Sequence, residues 1–187
     1  MILENIENRF KEITSVDNKT ELSLYPITEH IGFAIRVDNK KDKGEVFTPL
    51  NLVDKMLEIS KPEPDKYNMD LCAGHGQFTV RMLRKFTNEY PEFNLTEYLQ
   101  NLHWFNELNI QSCKELLYIF GNDINLAIGP AQELKSYPSD IDDTWLKGIF
   151  IWDASISKWI NIEPNELLVL EINQTSSTTK LNAKPLF

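Results

Sequence analysis

From Tyr67 onward the chain alternates short apolar runs of strand length with longer stretches whose apolar residues recur every three or four positions. This alternation constrains the fold most, because a strand, a covering helix and the next strand are joined by right-handed crossovers. Strands are expected at Tyr67 to Cys72, Leu102 to Leu108, Ile124 to Ile128, Gly148 to Trp152 and Glu166 to Ile172. Phe78, Val80, Met82, Leu83 and Phe86 form a helical face after the first strand. Ile110, Cys113, Leu116, Leu117 and Phe120 form another after the second. The expectation is an α/β fold, an open sandwich whose parallel sheet is covered on both faces.

The 187 residues suit one core. Ile2, Leu3, Ile6, Phe10 and Ile13 predict an amphipathic helix over residues 1–14. Glu21 to Val37 is β-rich and broken by Pro26, which predicts a hairpin or edge strands, and Asp38 to Gly44 reads as a polar loop. A helix after Pro49 carries Leu52, Val53, Met56, Leu57 and Ile59 and ends before Lys61-Pro-Glu-Pro64. Residues 1–43 thus read as a helical and β-rich extension packed on an α/β domain of residues 44–187. After Ile172 only Asn173 to Phe187 remains, so the sheet is expected to be incomplete, with an edge suited to a protein partner or a second copy.

Nineteen basic against 28 acidic residues give a net charge of −9, which argues against a non-specific grip on nucleic acid. Cys72 and Cys113 lie in no CxxC pair and read as buried small apolar residues in a reducing compartment. No run of about 18 apolar residues exists to span a bilayer, and the expected location is cytoplasmic. Asp140 to Asp143 lacks the spacing of a calcium loop, so no metal is expected.

Chemistry concentrates in Asp70-Leu-Cys72-Ala73-Gly74-His75-Gly76-Gln77-Phe78, an acid at a strand end followed by two glycines that open a helix. Glycines let the backbone approach a ligand, and the helix start offers unpaired N–H groups. Thr79 stands where GxGxxG would need its last glycine, which disfavours a pyrophosphate site. His75 reads as a loop residue with no identifiable partner. Glu107 closes the second strand, where a carboxylate can accept two ribose hydroxyls, with Asp123 as its rival.

Asp70-x-x-x-Gly74-x-Gly76 resembles motif I of the class I S-adenosylmethionine (SAM)-dependent methyltransferases. Phe47-Thr48-Pro49, upstream and opening a helix, resembles motif X of the amino-group DNA methyltransferases. Glu107 resembles the motif II acid, and Ile128-Gly-Pro-Ala131-Gln132 resembles motif III with Pro130 in place of its acid. Asp153-Ala-Ser-Ile156 falls where N6-adenine methyltransferases carry Asp- or Asn-Pro-Pro-aromatic, and only the first position agrees. Trp152 or Trp159 would have to replace the stacking aromatic. The resemblance runs from Glu45 to about Asp153.

This resemblance implies a Rossmann-like three-layer sandwich that binds SAM. Phe47, Thr48, Pro49, Asp70, Cys72, Ala73, Gly74, Gly76, Glu107, Ala131 and Gln132 would contact the cofactor, and Asp153 would orient a nucleophilic nitrogen on DNA. Asp70→Ala and Gly74→Val are then expected to abolish SAM binding with little loss of fold. The alternative is a catalytically inactive relative acting as partner subunit, regulator or decoy, and a third is a methyltransferase for another acceptor. A basic face built from Lys40, Lys41, Lys43, Arg81, Arg84 and Lys85 would favour DNA.

Overall fold

The computed structural model describes residues 2–22 and 48–170, with side chains described from residue 2 to 14 in the first segment. The expected loop at residues 38–44, Phe47 and the tail from Asn173 lie outside the described residues, as does all but the start of the β-rich stretch at 21–37. Glu21 and Leu22, the start of that stretch, belong instead to helix α1 (Ile2–Leu22).

Helix α1 buries Ile6 and Phe10, spaced by four as a helical stripe requires. Helix α2 (Leu50–Ser60) follows Pro49 and buries Val53 and Leu57. It stops at Lys61, whose left-handed backbone (φ 48°) precedes Pro62. Strand β1 (Asn68–Leu71) leads through the glycine turn into α3 (Gln77–Glu89), which buries Val80, Met82, Leu83 and Phe86. A short helix α4 (Leu95–Asn101), capped by Asn94, comes before β2 (His103–Glu107). Next come α5 (Ile110–Phe120), β3 (Asn125–Ile128), a 3-10 turn at Ala131–Ser136 and β4 (Ile149–Asp153). Strand β5 (Lys158–Ile162) and helix α6 (Pro164–Val169) complete the described chain.

The five strands lie in the order β1-β2-β3-β4-β5, the first four parallel and β5 antiparallel to β4. The fold is thus Rossmann-like α/β with a partial sheet. Four expected strands are present. The fifth is a correction: Glu166 to Val169 is helical, and residues 171–172 lie outside the described part. Leu167-Leu-Val-Leu170 has strand-like composition, but Pro164 sits at the first helical position and Glu163 and Glu166 form a reciprocal capping box. Those caps decide the matter, and the strand is instead the hairpin return Lys158–Ile162. Glu163→Ala should cost about 1 kcal/mol of stability, read as a lower urea midpoint.

The main core includes Phe86, Phe105, Leu116, Leu126 and Ile151, lying between the helices and one sheet face. Ala127 and Phe150 point to the opposite face, where they meet Leu134 and Tyr137 from the β3–β4 connection. Strands β1 to β4 advance in one direction while the covering chain changes face. The β3–β4 crossover therefore has the opposite hand to the two before it, an uncommon arrangement. In consequence β4 lies outside β3, and among the described strands β1 occupies an edge. Among the described residues no helix is long and apolar enough to cross a membrane.

Candidate functional site

The turn after β1 is built from left-handed residues. Cys72, Gly74 and Gly76 have φ of 57°, 54° and 74°, which reverses the chain within a few residues. Ala73 N–H donates to Asn106 O (2.9 Å) and Gly74 N–H to Glu107 Oε2 (2.7 Å), so consecutive loop donors grip the tip of β2. Leu108 and Asn109 N–H donate to Glu107 Oε1 at 2.7 and 2.8 Å. Glu107 O accepts from Gly129 N–H at 3.0 Å. One residue thus ties together the ends of three strands at the side of a parallel sheet where ligands bind. Asp123, the rival acid, is exposed before β3, at the opposite end of the sheet.

Cys72 is exposed, contrary to the core position expected of it, because its left-handed turn carries it off the strand's alternation. Cys113 is buried as expected, and burial pushes both thiols up. His75, for which no partner was identifiable, is buried with Nε2 3.0 Å from Glu115 Oε2 on α5. Gly76 packs against the Phe120 ring.

Asp70 faces inward from β1. Its Oδ2 accepts from Thr79 Oγ1 at 2.9 Å, so Asp70 ties β1 to the first turn of α3. Burial raises its pKa from 3.8 to about 7, against the lowering effect of Thr79. Thr79 Oγ1 also lies 2.9 Å from His103 Nε2. Because the carboxyl is buried and bonded to α3, Asp70→Ala would remove a tie between β1 and that helix as well as any contact with a ligand.

Thr48 meets the loop: Gln77 Nε2 donates to Thr48 O at 3.3 Å. Sequence reasoning passed over Gln77, although its place after the second glycine was the available signal. Its Oε1 is buried with no hydrogen-bond partner among the described residues. Such an orphaned acceptor beside Thr48 and Pro49 suits a ligand donor such as the ammonium of a methionine moiety.

The remaining expected residues stand apart. Ala131 and Gln132 begin the 3-10 turn after β3. Asp153 ends β4, two strands beyond β2, so roughly 14 Å of sheet separates β4 from β1. Its Oδ1 accepts from Ser155 N–H (2.8 Å) and Oγ–H (2.6 Å), closing the β4–β5 turn. Those bonds hold its carboxyl below its ordinary range. Trp159 Nε1–H donates to Glu133 O, and the Trp152 and Trp159 rings pack 5.5 Å apart beside Gly129. Arg81 is paired with Asp54, and Arg84 with Glu7, so two of the six basic residues weighed for a DNA face bind helices together. Lys40, Lys41 and Lys43 lie outside the described residues. Among those described, no three or more His, Cys, Asp or Glu residues gather as a metal site.

A model of the N-6 DNA methylase family matches residues 33–127, just over half the chain, covering the Thr48-Pro49 segment, the glycine turn and Glu107. No curated protein and no solved structure gives a significant match. Members of this family generally depend on SAM. A strand-end acid and a left-handed glycine turn whose Gly74 is held by Glu107, within a match that runs past β2 into β3, carry one conclusion: the chain belongs to the N-6 DNA methylase family.

Proposed function

We propose that the chain binds SAM at the turn between β1 and α3 and serves N6-adenine methylation of DNA. The observation that carries this reading is the 2.7 Å bond from Gly74 N–H to Glu107 Oε2, which joins the glycine turn to a strand-end carboxylate. Glu107 has about four lone-pair sites and spends three on backbone N–H groups. Oε2, held by Gly74 alone among these donors, is the oxygen with a site left for a ribose hydroxyl. Thr48, Pro49 and Gln77 would receive the methionine end, and Phe47 is proposed beside them. Asp70, Cys72, Ala73, Gly74 and Gly76 shape the turn, with Ala131 and Gln132 proposed towards the adenine. SAM, when bound, supplies an electrophilic methyl group, and the chain's part is to hold it oriented and shielded from water.

A second reading has its own support. Asp153 is committed to its hairpin and stands across the sheet from the turn, which favours a cofactor-binding subunit whose acceptor-positioning groups come from a partner. Asp153 as the group that orients the target nitrogen is the proposal of the first reading only.

Calorimetric titration with SAM tests the site. Wild-type protein should bind, and Glu107→Gln should bind at least tenfold more weakly, because an amide offers one acceptor atom and no charge to the same donors. Absence of binding by the wild type would overturn the cofactor reading. Methylation of adenine-containing DNA by the chain alone would exclude the subunit reading.

A further inference from the structure

Among the described residues β1 is an edge strand, and along it runs a cleft of about 360 Å³, four of whose lining residues belong to one polar chain. Asp70 Oδ2, Thr79 Oγ1, His103 Nε2 and, through the imidazole, His103 Nδ1 and Tyr98 Oη follow one another at 2.9, 2.9 and 3.3 Å. Met82 Sδ closes the far end, 3.7 Å from Tyr98 Oη. Asp70, Thr79, His103 and Tyr98 are all buried.

We propose that Thr79 and His103 are positioning residues for Asp70, forming with Tyr98 a hydrogen-bond chain whose direction is set by a single proton on the Asp70 carboxyl. The proposal rests on the reading of the glycine turn as a SAM site.

Donor counting leaves two closed arrangements. With Asp70 ionised, Thr79 must donate to it, because a carboxylate only accepts. Thr79 Oγ1 then accepts from His103 Nε2–H, and His103 Nδ1 accepts from Tyr98 O–H. With Asp70 protonated, its O–H donates to Thr79 Oγ1, Thr79 donates to His103 Nε2, His103 Nδ1–H donates to Tyr98 Oη, and Tyr98 donates to Met82 Sδ. Every group is satisfied in both, no heavy atom moves, and the two differ by one proton and by the imidazole tautomer.

Burial keeps the imidazole neutral, with its pKa lowered to about 3, so the tautomer and not the charge changes in the working range. Asp70 itself titrates near 7. The other groups facing it are Glu107 from β2 and Cys72 from the turn, with α2 contributing only Leu57 and Ser60 to the cleft. The cleft gives the proton a route to Asp70. Ionised Asp70 adds negative charge beneath a turn that would receive a cation, so SAM should bind more tightly on the alkaline side.

The test is 15N NMR of the full chain labelled at histidine, with the His103 signals identified by their loss in His103→Asn. The expected result is the Nδ1–H tautomer at pH 5.5 and the Nε2–H tautomer at pH 8.5. That change should vanish in Thr79→Val and in Asp70→Asn, and wild-type SAM affinity should rise severalfold across the same interval. A single His103 tautomer from pH 5.5 to 8.5 in the wild type would overturn the proposal, whether or not either variant folds. So would a tautomer change that persists in Thr79→Val, or a measurable SAM affinity that is flat with pH. Absence of SAM binding with the tautomer change intact would instead overturn the cofactor reading, and with it the positioning role.

Discussion

Gly76→Ala should be among the most damaging single-methyl changes in the protein, costing roughly 2–5 kcal/mol. Gly76 has φ of 74°, and an ideal Cβ there would lie 2.5 Å from Phe120 Cε2 and 3.1 Å from Leu116 Cδ2. The left-handed backbone costs a side chain about 1–2 kcal/mol. Overpacking against a buried ring adds about 1–3 kcal/mol. Phe120 belongs to the main core and packs on Phe105 at 4.9 Å, so it cannot retreat without disturbing β2. Urea unfolding checks the figure, and a loss below about 1 kcal/mol would mean that the turn has room the structure does not show. A family glycine usually credited to the ligand is thus also required by the apolar core.

Asp70→Asn should make the protein more stable than wild type at pH 8 and reverse that advantage at pH 4. The folded carboxyl titrates near 7 and the unfolded one near 3.8, so between those values the folded chain holds a proton that the unfolded chain has released. Stability from this group is therefore complete below about pH 3.8 and is lost as pH rises through 7, a total of about 4 kcal/mol. His103 runs the other way. Its folded pKa of about 3 lies below the ordinary 6.5, so its contribution is complete above pH 6.5 and is lost as pH falls towards 3. The two slopes nearly cancel between about pH 4 and 6.5. The difference between Asp70→Asn and wild type removes the histidine and leaves the aspartate, and should change by about 4 kcal/mol from pH 4 to 8. Asp70→Ala loses the same titration but also removes the acceptor that ties β1 to Thr79, at a cost of about 1–3 kcal/mol. For cofactor binding, then, asparagine is the informative substitution and alanine confounds binding with folding. Denaturant titrations of the three proteins at pH 4, 6 and 8 provide the measurement.

The candidate site was legible where its chemistry is local. Asp70, Gly74 and Gly76 announce a strand-to-helix turn because only certain residues accept that backbone, and Glu107 announces itself by ending an apolar strand before a helix. Gln77 gave only its place after the second glycine, and neither Thr79 nor His103 announced its partners. Their roles come from contacts 29, 9 and 24 positions along the chain, which no local pattern encodes. Cys72 was misplaced for a related reason: alternation assigns a side chain to a face only while the strand continues, and the strand ends at Leu71.

The sequence by itself determined the kind and order of most elements, because periodicity, caps and glycine tolerance act over a turn or two of chain. It determined the α/β class and the family resemblance through the same short patterns. Only the tertiary structure decided that β4 lies beyond β3, that the β3–β4 connection covers the opposite face, and that Asp153 therefore stands away from the glycine turn. Strand order follows from which faces can bury Leu134, Tyr137, Phe150 and their neighbours together, a choice made by packing across the whole sheet. The protonation of Asp70 was decided there too, since the same carboxyl in water titrates near 3.8 and acquires its pKa near 7 only when desolvated beneath α3.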